Sequence, residues 1–428
     1  MPSPYRELLP SVVSLTMQDA NGKTVRQASG FFVRDDEIVT ALSALEGATG
    51  GRAIVLDKGN SLQLVGVTGV DREAGLVTLK VAGGKSTPLA INDNQRTTLN
   101  QKIAALGGAA NSTAAFSAGI IGGYEDNLIS INPLFAPTIV GGPVFNERGE
   151  LVGILLKSPP TKPNASFAAP VNTVANLLRR RQPLSSIALA GANNVMWDFR
   201  KVTEDASPNI SDEMKRRILS TVFRSYLTST DECQSSDGDA GGDFLAAQRN
   251  SGQIVPDIIS SATGSFTAPG AQQTAYLIEV GECQASHADN YGTKRLVVFN
   301  GQNMVANVDA DFNTSILKTF DINNDGINEL FLSGGDMHMG ISVGWGMLVD
   351  FNGNHLRVIK KFERTYEDSC GSEQHGSRFL ASAILYTPVG KGKMPELRVD
   401  WYAAACAAGD ADPKPEDFKY ATTGKMPE

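Results

Sequence analysis

The residues best suited to chemistry in this sequence are oxygen donors in one short acidic segment. Residues 321–330 read DINNDGINEL. This segment offers a calcium ion side-chain oxygens at its first, third and fifth positions, a backbone carbonyl at the seventh and a carboxylate at the ninth. The glycine at the sixth position allows the chain to turn sharply around the ion. The sequence therefore predicts calcium as the cofactor. The candidate ligands are Asp321, Asn323, Asp325, Ile327 and Glu329.

This segment differs from an EF-hand in two ways. Leu332 stands where an EF-hand has its bidentate glutamate. Strand-like residues 316–320 and 330–332 flank the segment where an EF-hand has helices. The segment resembles the calcium loops between strands of FG-GAP and VCBS-type β-propeller repeats, although the chain holds only one clear copy. The alternative is a hairpin turn, rich in Asp and Asn, that holds no metal.

Other acidic and histidine-containing segments carry weaker signals. Two acidic alternations are interpreted as solvated loops: Asp309, Asp311 and Asn313, and Asp237, Asp239 and Asp243. His338 lies between Met337 and Met339, and copper or another soft metal could use such donors. We favour a loop at the end of a sheet there, since the other histidines show no metal-binding spacing.

The cysteines indicate disulfides and an oxidising compartment. They are widely spaced and include no C-x-x-C pair, which favours two disulfides over a zinc site. Three connectivities are possible, and sequence order slightly favours Cys233 with Cys283 and Cys370 with Cys406. The alternative is four unpaired, buried thiols. The first residues lack the apolar core of a signal peptide, which suits either a cytosolic protein or a mature form whose signal has been removed. The expected disulfides favour a mature periplasmic or extracellular chain. The cysteines are Cys233, Cys283, Cys370 and Cys406.

Composition limits the classes of protein that fit. The chain has 428 residues, 41% of them apolar, and a formal net charge of −8. This length favours two domains, and the negative charge argues against nucleic acid or an anionic membrane as a general partner. No apolar stretch approaches the roughly 20 residues that a membrane-spanning helix needs.

Short strands separated by Gly, Asn and Asp turns predict a mainly β fold. The first domain is predicted at residues 1–182, with many short strands typical of a sandwich or a pair of barrels and a closing helix after Pro170. Residues 183–210 are weakly patterned and are interpreted as a linker or strap. Residues 211–428 form the second, mostly β domain, which opens with a helix that has Ser211 as its N-cap.

Short motifs follow one another through the first domain, and the later ones include GGPVFN, GELVGI and FAAPVNTV. The segments are residues 12–15, 28–33, 38–41, 71–72 with 76–81, 131–133, 141–146, 149–154 and 167–174. In type and order they resemble the motifs of the Deg/HtrA branch of trypsin-like serine proteases. The resemblance implies two six-stranded β-barrels with a cleft that accepts an extended peptide.

The same alignment implies that the catalytic residues of the family are replaced. Ser43 falls at the histidine position, Gly75 at the aspartate position and Val140 at the nucleophile position, and Thr138 replaces a glycine of the oxyanion-hole loop. No imidazole is available either, because all four histidines lie beyond residue 286. A serine protease needs a nucleophile, a base and a group that orients the base. The sequence therefore predicts no protease activity.

These features favour a non-catalytic binding or scaffolding protein with a protein or peptide partner. Such a protein would act as an accessory subunit of an envelope or extracellular assembly. One alternative is a calcium-dependent adhesin or carbohydrate-binding protein that acts through residues 211–428. The other is a serine hydrolase with an unusual active site, in which Ser43 is the nucleophile and a lysine is the base.

Overall fold

The structure is a computed structural model. It describes residues 2–84, 86–108, 113–159, 161–201, 208–222, 257–279, 294–310, 313–353, 355–371, 377–406 and 412–427.

Contacts divide the chain into two compact units. The first, here called the barrel unit, comprises residues 1–196, 384–390 and 394–398. The second, here called the sheet unit, comprises residues 197–383, 391–393 and 399–428. The division falls later than the boundary at 182 that the sequence predicts, and two segments from late in the chain join the barrel unit.

The first half of the barrel unit is a closed six-stranded antiparallel barrel. Its strands follow one another around the barrel in the order β1-β2-β3-β6-β5-β4. Alternating apolar side chains fill its interior, including Leu15, Phe32 and Leu79, which are fully buried. The strands are β1 (Val12–Gln18), β2 (Thr24–Arg34), β3 (Glu37–Ala41), β4 (Gly50–Val55), β5 (Ser61–Asp71) and β6 (Leu76–Ala82).

The second half is another closed six-stranded barrel, in the order β10-β11-β12-β9-β8-β7. Ile121, Ile139 and Ala168 lie in its core. A separate apolar cluster joins residues of both barrels, among them Phe31 and Phe145. The predicted mainly β fold with two six-stranded barrels is confirmed. The strands are β7 (Lys102–Gly108), β8 (Ala114–Glu125), β9 (Leu128–Asn132), β10 (Pro143–Asn146), β11 (Leu151–Leu156) and β12 (Ser166–Pro170).

Short helices complete the barrel unit. Helix α1 (Ser3–Arg6) precedes β1, and α2 (Val171–Arg179) follows Pro170 as predicted. The weakly patterned segment after it contains α3 (Ile187–Ala190) and β13 (Asn194–Asp198). Ser185 exchanges two backbone hydrogen bonds of 2.9 Å with Val67 of β5, which fixes this segment to the first barrel.

In the part that the structure describes, the sheet unit contains two antiparallel sheets and the α-helix α4. One sheet has four strands, β14 to β17, and the other runs from β18 to β24, with β13 paired to β22. Helix α4 (Asp212–Val222) has the predicted N-cap, since Ser211 Oγ accepts the Met214 N–H at 3.3 Å. The strands are β14 (Asp257–Gly264), β15 (Gln273–Glu279), β16 (Lys294–Asn300), β17 (Asn303–Asp309), β18 (Ser315–Phe320), β19 (Glu329–His338), β20 (Ile341–Asn352), β21 (His355–Asp368), β22 (Arg378–Tyr386), β23 (Arg398–Ala405) and β24 (Lys419–Thr423).

Both sheets of the sheet unit contribute to one apolar core. Leu277 and Val298 from the four-stranded sheet pack in a cluster with Leu330 and Val349 from the larger sheet. The helix α4 covers a second cluster through Ile218 and others. Among the residues that the structure describes, no helix is long and apolar enough to cross a bilayer.

Candidate functional site

Ser43 and Gly75 lie on adjacent turns of the barrel unit. Ser43 belongs to the 3₁₀ turn Leu42–Leu45, which follows β3 directly. Gly75 ends the turn before β6 with φ +67°, a conformation that glycine adopts without strain. The Leu42 N–H donates to the Gly75 carbonyl at 2.8 Å. The backbone therefore holds together the two positions that align with the histidine and the aspartate of the family, but neither residue carries an imidazole or a carboxylate.

Val140 is held by its backbone and packed by its side chain. It follows the 3₁₀ turn Pro137–Ile139, and its N–H donates to the Pro137 carbonyl at 3.2 Å. Its own carbonyl accepts the Ser29 N–H at 2.8 Å. The side chain is half-buried and packs against the core of the second barrel. The residue at the nucleophile position thus offers neither a hydroxyl nor, in this conformation, an amide hydrogen directed at a ligand.

Two buried hydroxyl groups beside this loop form hydrogen bonds with the backbone. Ser29 and Thr40 are fully buried. Ser29 Oγ donates to the Thr138 carbonyl and accepts the Gly108 N–H, both at 2.9 Å. Thr40 Oγ1 donates to the Ser29 carbonyl at 2.6 Å. These bonds hold the loop against β2 and β7, so neither hydroxyl is placed as a nucleophile.

Ser43 and Gly75 line a cavity of about 560 Å³ within the barrel unit. Val140 is not part of its wall, so the structure brings two of the three predicted positions onto one cavity. The volume lies in the usual range for small-ligand pockets. Most of the remaining wall comes from the end of β11 and from the segment after α3: Leu156, Lys157, Ser158, Pro159, Ala190, Gly191, Ala192 and Asn193.

Charged side chains are unevenly distributed on the cavity wall. Among the wall residues that the structure describes, Arg72, Lys157 and Arg398 are basic and Glu46 is acidic. The Glu46 carboxylate binds Arg26 at 2.9 Å and Lys157 at 3.1 Å. This carboxylate is therefore shared between two cations.

Residues from late in the chain close one side of the cavity. Leu385 and Arg398 contribute to its wall, and both belong to the barrel unit. Arg398 is 7% exposed, and its Nη1 donates to the Ala190 carbonyl at 2.9 Å. Thr387 Oγ1 donates to the Ala188 carbonyl at 3.0 Å. This segment is held against α3 by hydrogen bonds between residues about 200 positions apart in the sequence.

The predicted calcium ligands lie in the connection between β18 and β19 of the sheet unit. The carboxylate of Asp321 accepts the N–H groups of Asp325 and Gly326, both at 2.9 Å. Asn323 Oδ1 accepts the Asp325 N–H at 2.9 Å, and Asp325 Oδ1 accepts the Ile327 N–H at 2.8 Å. Successive side-chain oxygens thus bond to the loop's own amide groups and wrap the chain into a tight loop.

Glu329 closes this loop from the start of β19. It is 1% exposed, and its Oε2 accepts the Ile322 N–H at 2.9 Å. Burial raises the pKa of Glu329 to about 7, and the neighbouring carboxylates of Asp325 and Asp321 add to this effect. A buried carboxyl beside two others is a donor set that suits a hard cation such as calcium.

A calcium site in this loop would need other oxygen ligands besides its carboxylates. Within the described part of the chain, no three His, Cys, Asp or Glu side chains form a group that could hold a metal ion alone. The loop needs the Asn323 amide oxygen and the Ile327 carbonyl to complete a ligand set, as the sequence motif expects. The residues present fit calcium in type and order, and calcium binding stays a prediction.

The weaker candidates have ordinary structural roles or lie outside the described residues. His338 lies in the exposed hairpin between β19 and β20, where Met339 has φ +49°. The expectation of a solvated loop is wrong for Asn313, which is 2% exposed and whose Nδ2 donates to the Ala310 carbonyl at 2.8 Å. Four of these candidate residues lie outside the described ranges: Asp237, Asp239, Asp243 and Asp311.

The described residues of the sheet unit include one disulfide. It joins Cys370 to Cys406, with Cα atoms 5.6 Å apart, and is one of the two pairs that sequence order favours. Cys233 and Cys283 lie outside the described residues.

Comparison with known proteins concerns the barrel unit. Residues 28–154 match the trypsin-like peptidase domain. The match includes Ser43, Gly75 and Val140. No curated protein is significantly similar to the chain.

Solved structures of proteases resemble part of the chain. The serine endoprotease from Yersinia pestis has 20% identity and a TM-score of 0.38, and the match covers 42% of this chain and 66% of that one. An active-form protease from M. tuberculosis has 15% identity and a TM-score of 0.38, with 43% and 87% covered. The MamO protease domain from Magnetospirillum magneticum, in its apo form, has 21% identity and a TM-score of 0.36, with 40% and 97% covered.

Sequence reasoning located Ser43 and Gly75 but missed the basic wall of the cavity. Arg72 lies within a motif that carries only the family resemblance, and Lys157 follows β11 without any distinctive pattern. Arg398 lies more than 300 positions from Ser43. No local signal could have placed it there, because its role depends on how a late segment packs.

Proposed function

We propose that the barrel unit is a trypsin-like domain that binds a protein or peptide and does not cleave it. The observation that carries this proposal is the composition of the three positions: a serine at 43, a glycine at 75 and a valine at 140. Acyl transfer by this fold requires a nucleophile, a base that accepts its proton and a carboxylate that orients the base. None of the three positions holds the required group, and the barrel unit contains no histidine.

The expected loss of turnover supports a barrel unit that does not cleave peptides. In a catalytic triad the three residues act as a unit, so losing one costs nearly as much as losing all, roughly 10⁴-fold or more in turnover. The residual rate of a triad-deficient protease depends on its oxyanion hole. Here the Val140 N–H donates to the Pro137 carbonyl instead, so this source of residual activity is weakened as well.

A hydrolase that uses Ser43 with a lysine base is the rival proposal. Lys157 lines the same cavity as Ser43. Its ammonium, however, binds the Glu46 carboxylate at 3.1 Å, and an ammonium group has no lone pair to accept a proton. The arrangement thus favours binding over hydrolysis.

A fluorophosphonate probe tests the proposal, because such probes label activated serines covalently. We expect no labelling of the wild-type chain under conditions in which trypsin is labelled fully. Labelling that disappears in Ser43→Ala, but persists in a Ser158→Ala control from the same cavity, would overturn the proposal in favour of the rival hydrolase.

We also propose that the loop 321–329 of the sheet unit holds calcium through Asp321, Asn323, Asp325, Ile327 and Glu329. The ordered side-chain oxygens of the loop and the left-handed Gly326, at φ +95°, support it. Bound calcium would neutralise the clustered carboxylates and stiffen the connection between two strands of the larger sheet.

The proposed location is the periplasm or the extracellular space. The Cys370–Cys406 disulfide supports it, since disulfides persist mainly in oxidising compartments. In that setting the chain would act as an accessory subunit that holds a protein partner.

A further inference from the structure

The cavity next to Ser43 and Gly75 includes space that the two replaced residues leave open. At the positions that align with a histidine and an aspartate, the chain has a hydroxymethyl group and a hydrogen atom. A Cβ added to Gly75 would meet, apart from its chain neighbours, one described atom within contact distance, the Leu156 Cδ2 at 3.8 Å. Position 75 therefore faces open space in front of Leu156, and both residues line the cavity.

The charged side chains that the structure describes on the cavity wall already have partners. Arg72 Nη2 donates to the Ala190 carbonyl at 3.2 Å, and Arg398 Nη1 donates to the same oxygen at 2.9 Å. Lys157 binds the Glu46 carboxylate at 3.1 Å. A charged ligand would exchange these interactions for others, which gains little free energy. The charges of the wall therefore give an ionic ligand no clear advantage over a neutral one.

Most of the remaining wall is apolar. Leu42, Leu156 and Leu385 are half-buried and contribute to it, and Pro159 and Ala192 add further carbon atoms. An apolar group that enters such a concave surface removes its own surface and that of the wall from water. The wall thus favours a neutral, apolar ligand.

Close contacts fix the shape of this cavity. Gly191 approaches the turn at Leu45 so closely that an added Cβ would lie 2.0 Å from the Leu45 carbonyl oxygen. Thr387 Oγ1 donates to the Ala188 carbonyl at 3.0 Å, which holds the segment that carries Leu385 against α3. A preformed cavity binds more tightly than a flexible one, because little conformational entropy is lost on binding.

We propose that this cavity binds one large aliphatic side chain of a peptide, such as leucine, in the space that the absent imidazole and carboxylate leave open. A volume of about 560 Å³ accommodates this side chain together with the peptide backbone on either side of it. Ser43 and Asn193 on the wall offer hydrogen-bonding groups to that backbone. The inference rests on the proposed function and specifies its ligand.

Three short peptides of the form acetyl-Gly-Xaa-Gly-amide test the preference, with leucine, alanine or glutamate as the central residue. Ligand-observed saturation-transfer NMR with the full chain measures the dissociation constant of each peptide and detects weak binding. The leucine peptide should bind at least about tenfold more tightly than the other two. It buries more apolar surface than the alanine peptide, and it carries no charge that must be desolvated, unlike the glutamate peptide.

Variants connect this preference to the cavity. Ser43→Phe places a ring in the space and should weaken binding of the leucine peptide at least about tenfold, whereas Ser43→Ala keeps the space open and should leave binding unchanged. Leu385→Gln removes apolar surface from the wall and should reduce the preference about threefold or more. Leu99→Gln makes the same change at an exposed site outside the wall and should have no effect.

Thermal melting of each variant checks that it folds, and the Leu385 variant keeps the test valid if the Ser43→Phe variant does not fold. Equal binding of the three peptides, or binding of none, would overturn the inference, as would an unchanged preference in the folded Ser43→Phe variant. The same NMR spectra show whether the peptides stay intact. Intact peptides without a preference for leucine refute only the aliphatic site, whereas cleaved peptides refute the non-catalytic role.

Discussion

Replacing Asp325 with asparagine should remove the response of this protein to calcium with little effect on the fold in its absence. The asparagine keeps an Oδ1 that can accept the Ile327 N–H, as Asp325 does at 2.8 Å. It loses the Oδ2 that accepts the Asn323 Nδ2 at 2.9 Å, and it removes one negative charge from beside the buried Glu329. The lost hydrogen bond and the reduced carboxylate repulsion oppose each other, so the calcium-free variant should unfold close to the wild-type temperature.

The expected rise in melting temperature of the wild-type protein follows from the thermodynamic linkage between calcium binding and folding. A ligand that binds only the folded state stabilises it by about 2.7 kcal/mol when its concentration is 100 times its Kd. For a unit of about 200 residues, each kcal/mol raises the melting temperature by roughly 2–4 °C. Saturating calcium should thus raise the melting transition of the sheet unit by about 5–10 °C, and a chelator should reverse the shift.

Differential scanning calorimetry with added calcium or chelator measures both effects. Asp309→Asn is the matched control, because it removes the same charge from an exposed position at the end of β17 outside the loop, and it should keep the full calcium shift. An unchanged wild-type transition in millimolar calcium would refute the calcium loop. So would an equal shift in Asp325→Asn and Asp309→Asn.

Two further predictions concern the architecture of the barrel unit, and urea denaturation checks both. Gly141→Ala should cost at least about 2 kcal/mol of unfolding free energy, because the added Cβ would lie 2.2 Å from Thr40 Oγ1 and the residue has a φ of +85°. Gly22→Ala should cost about 1 kcal/mol, because Gly22 has a similar φ of +77° but open space around it. Equal losses in the Gly141 and Gly22 variants would contradict the packing described for the loop. Arg398→Met should cost about 1–3 kcal/mol, because it removes the hydrogen bonds that this buried guanidinium donates to the Leu189 and Ala190 carbonyls.

The sequence predicted those parts of the fold that local pattern determines. Short strands between turn residues became the two barrels, and Ser211 caps α4 as its position before two acidic residues indicated. The family resemblance also assigned Ser43 and Gly75 to the histidine and aspartate positions, which the structure places on one cavity. Each of these features depends on residues that are neighbours in the sequence or on a recognisable motif.

The rest depends on contacts between distant segments. Residues 183–196 show no periodic pattern, because α3 and β13 are short and are held by partners such as Val67. Arg398 reaches the cavity only because a late segment packs against α3. Such placements leave no trace in local composition, so the basic wall of the cavity could not be predicted from the sequence.

The most direct test of the central claim is prolonged incubation of the full chain with unfolded casein, followed by mass spectrometry of newly formed N-termini. The account predicts none above the level of casein alone, in calcium or in chelator. New termini that increase with time and vanish in Ser43→Ala would show that the barrel unit still cleaves peptides, and would contradict the account.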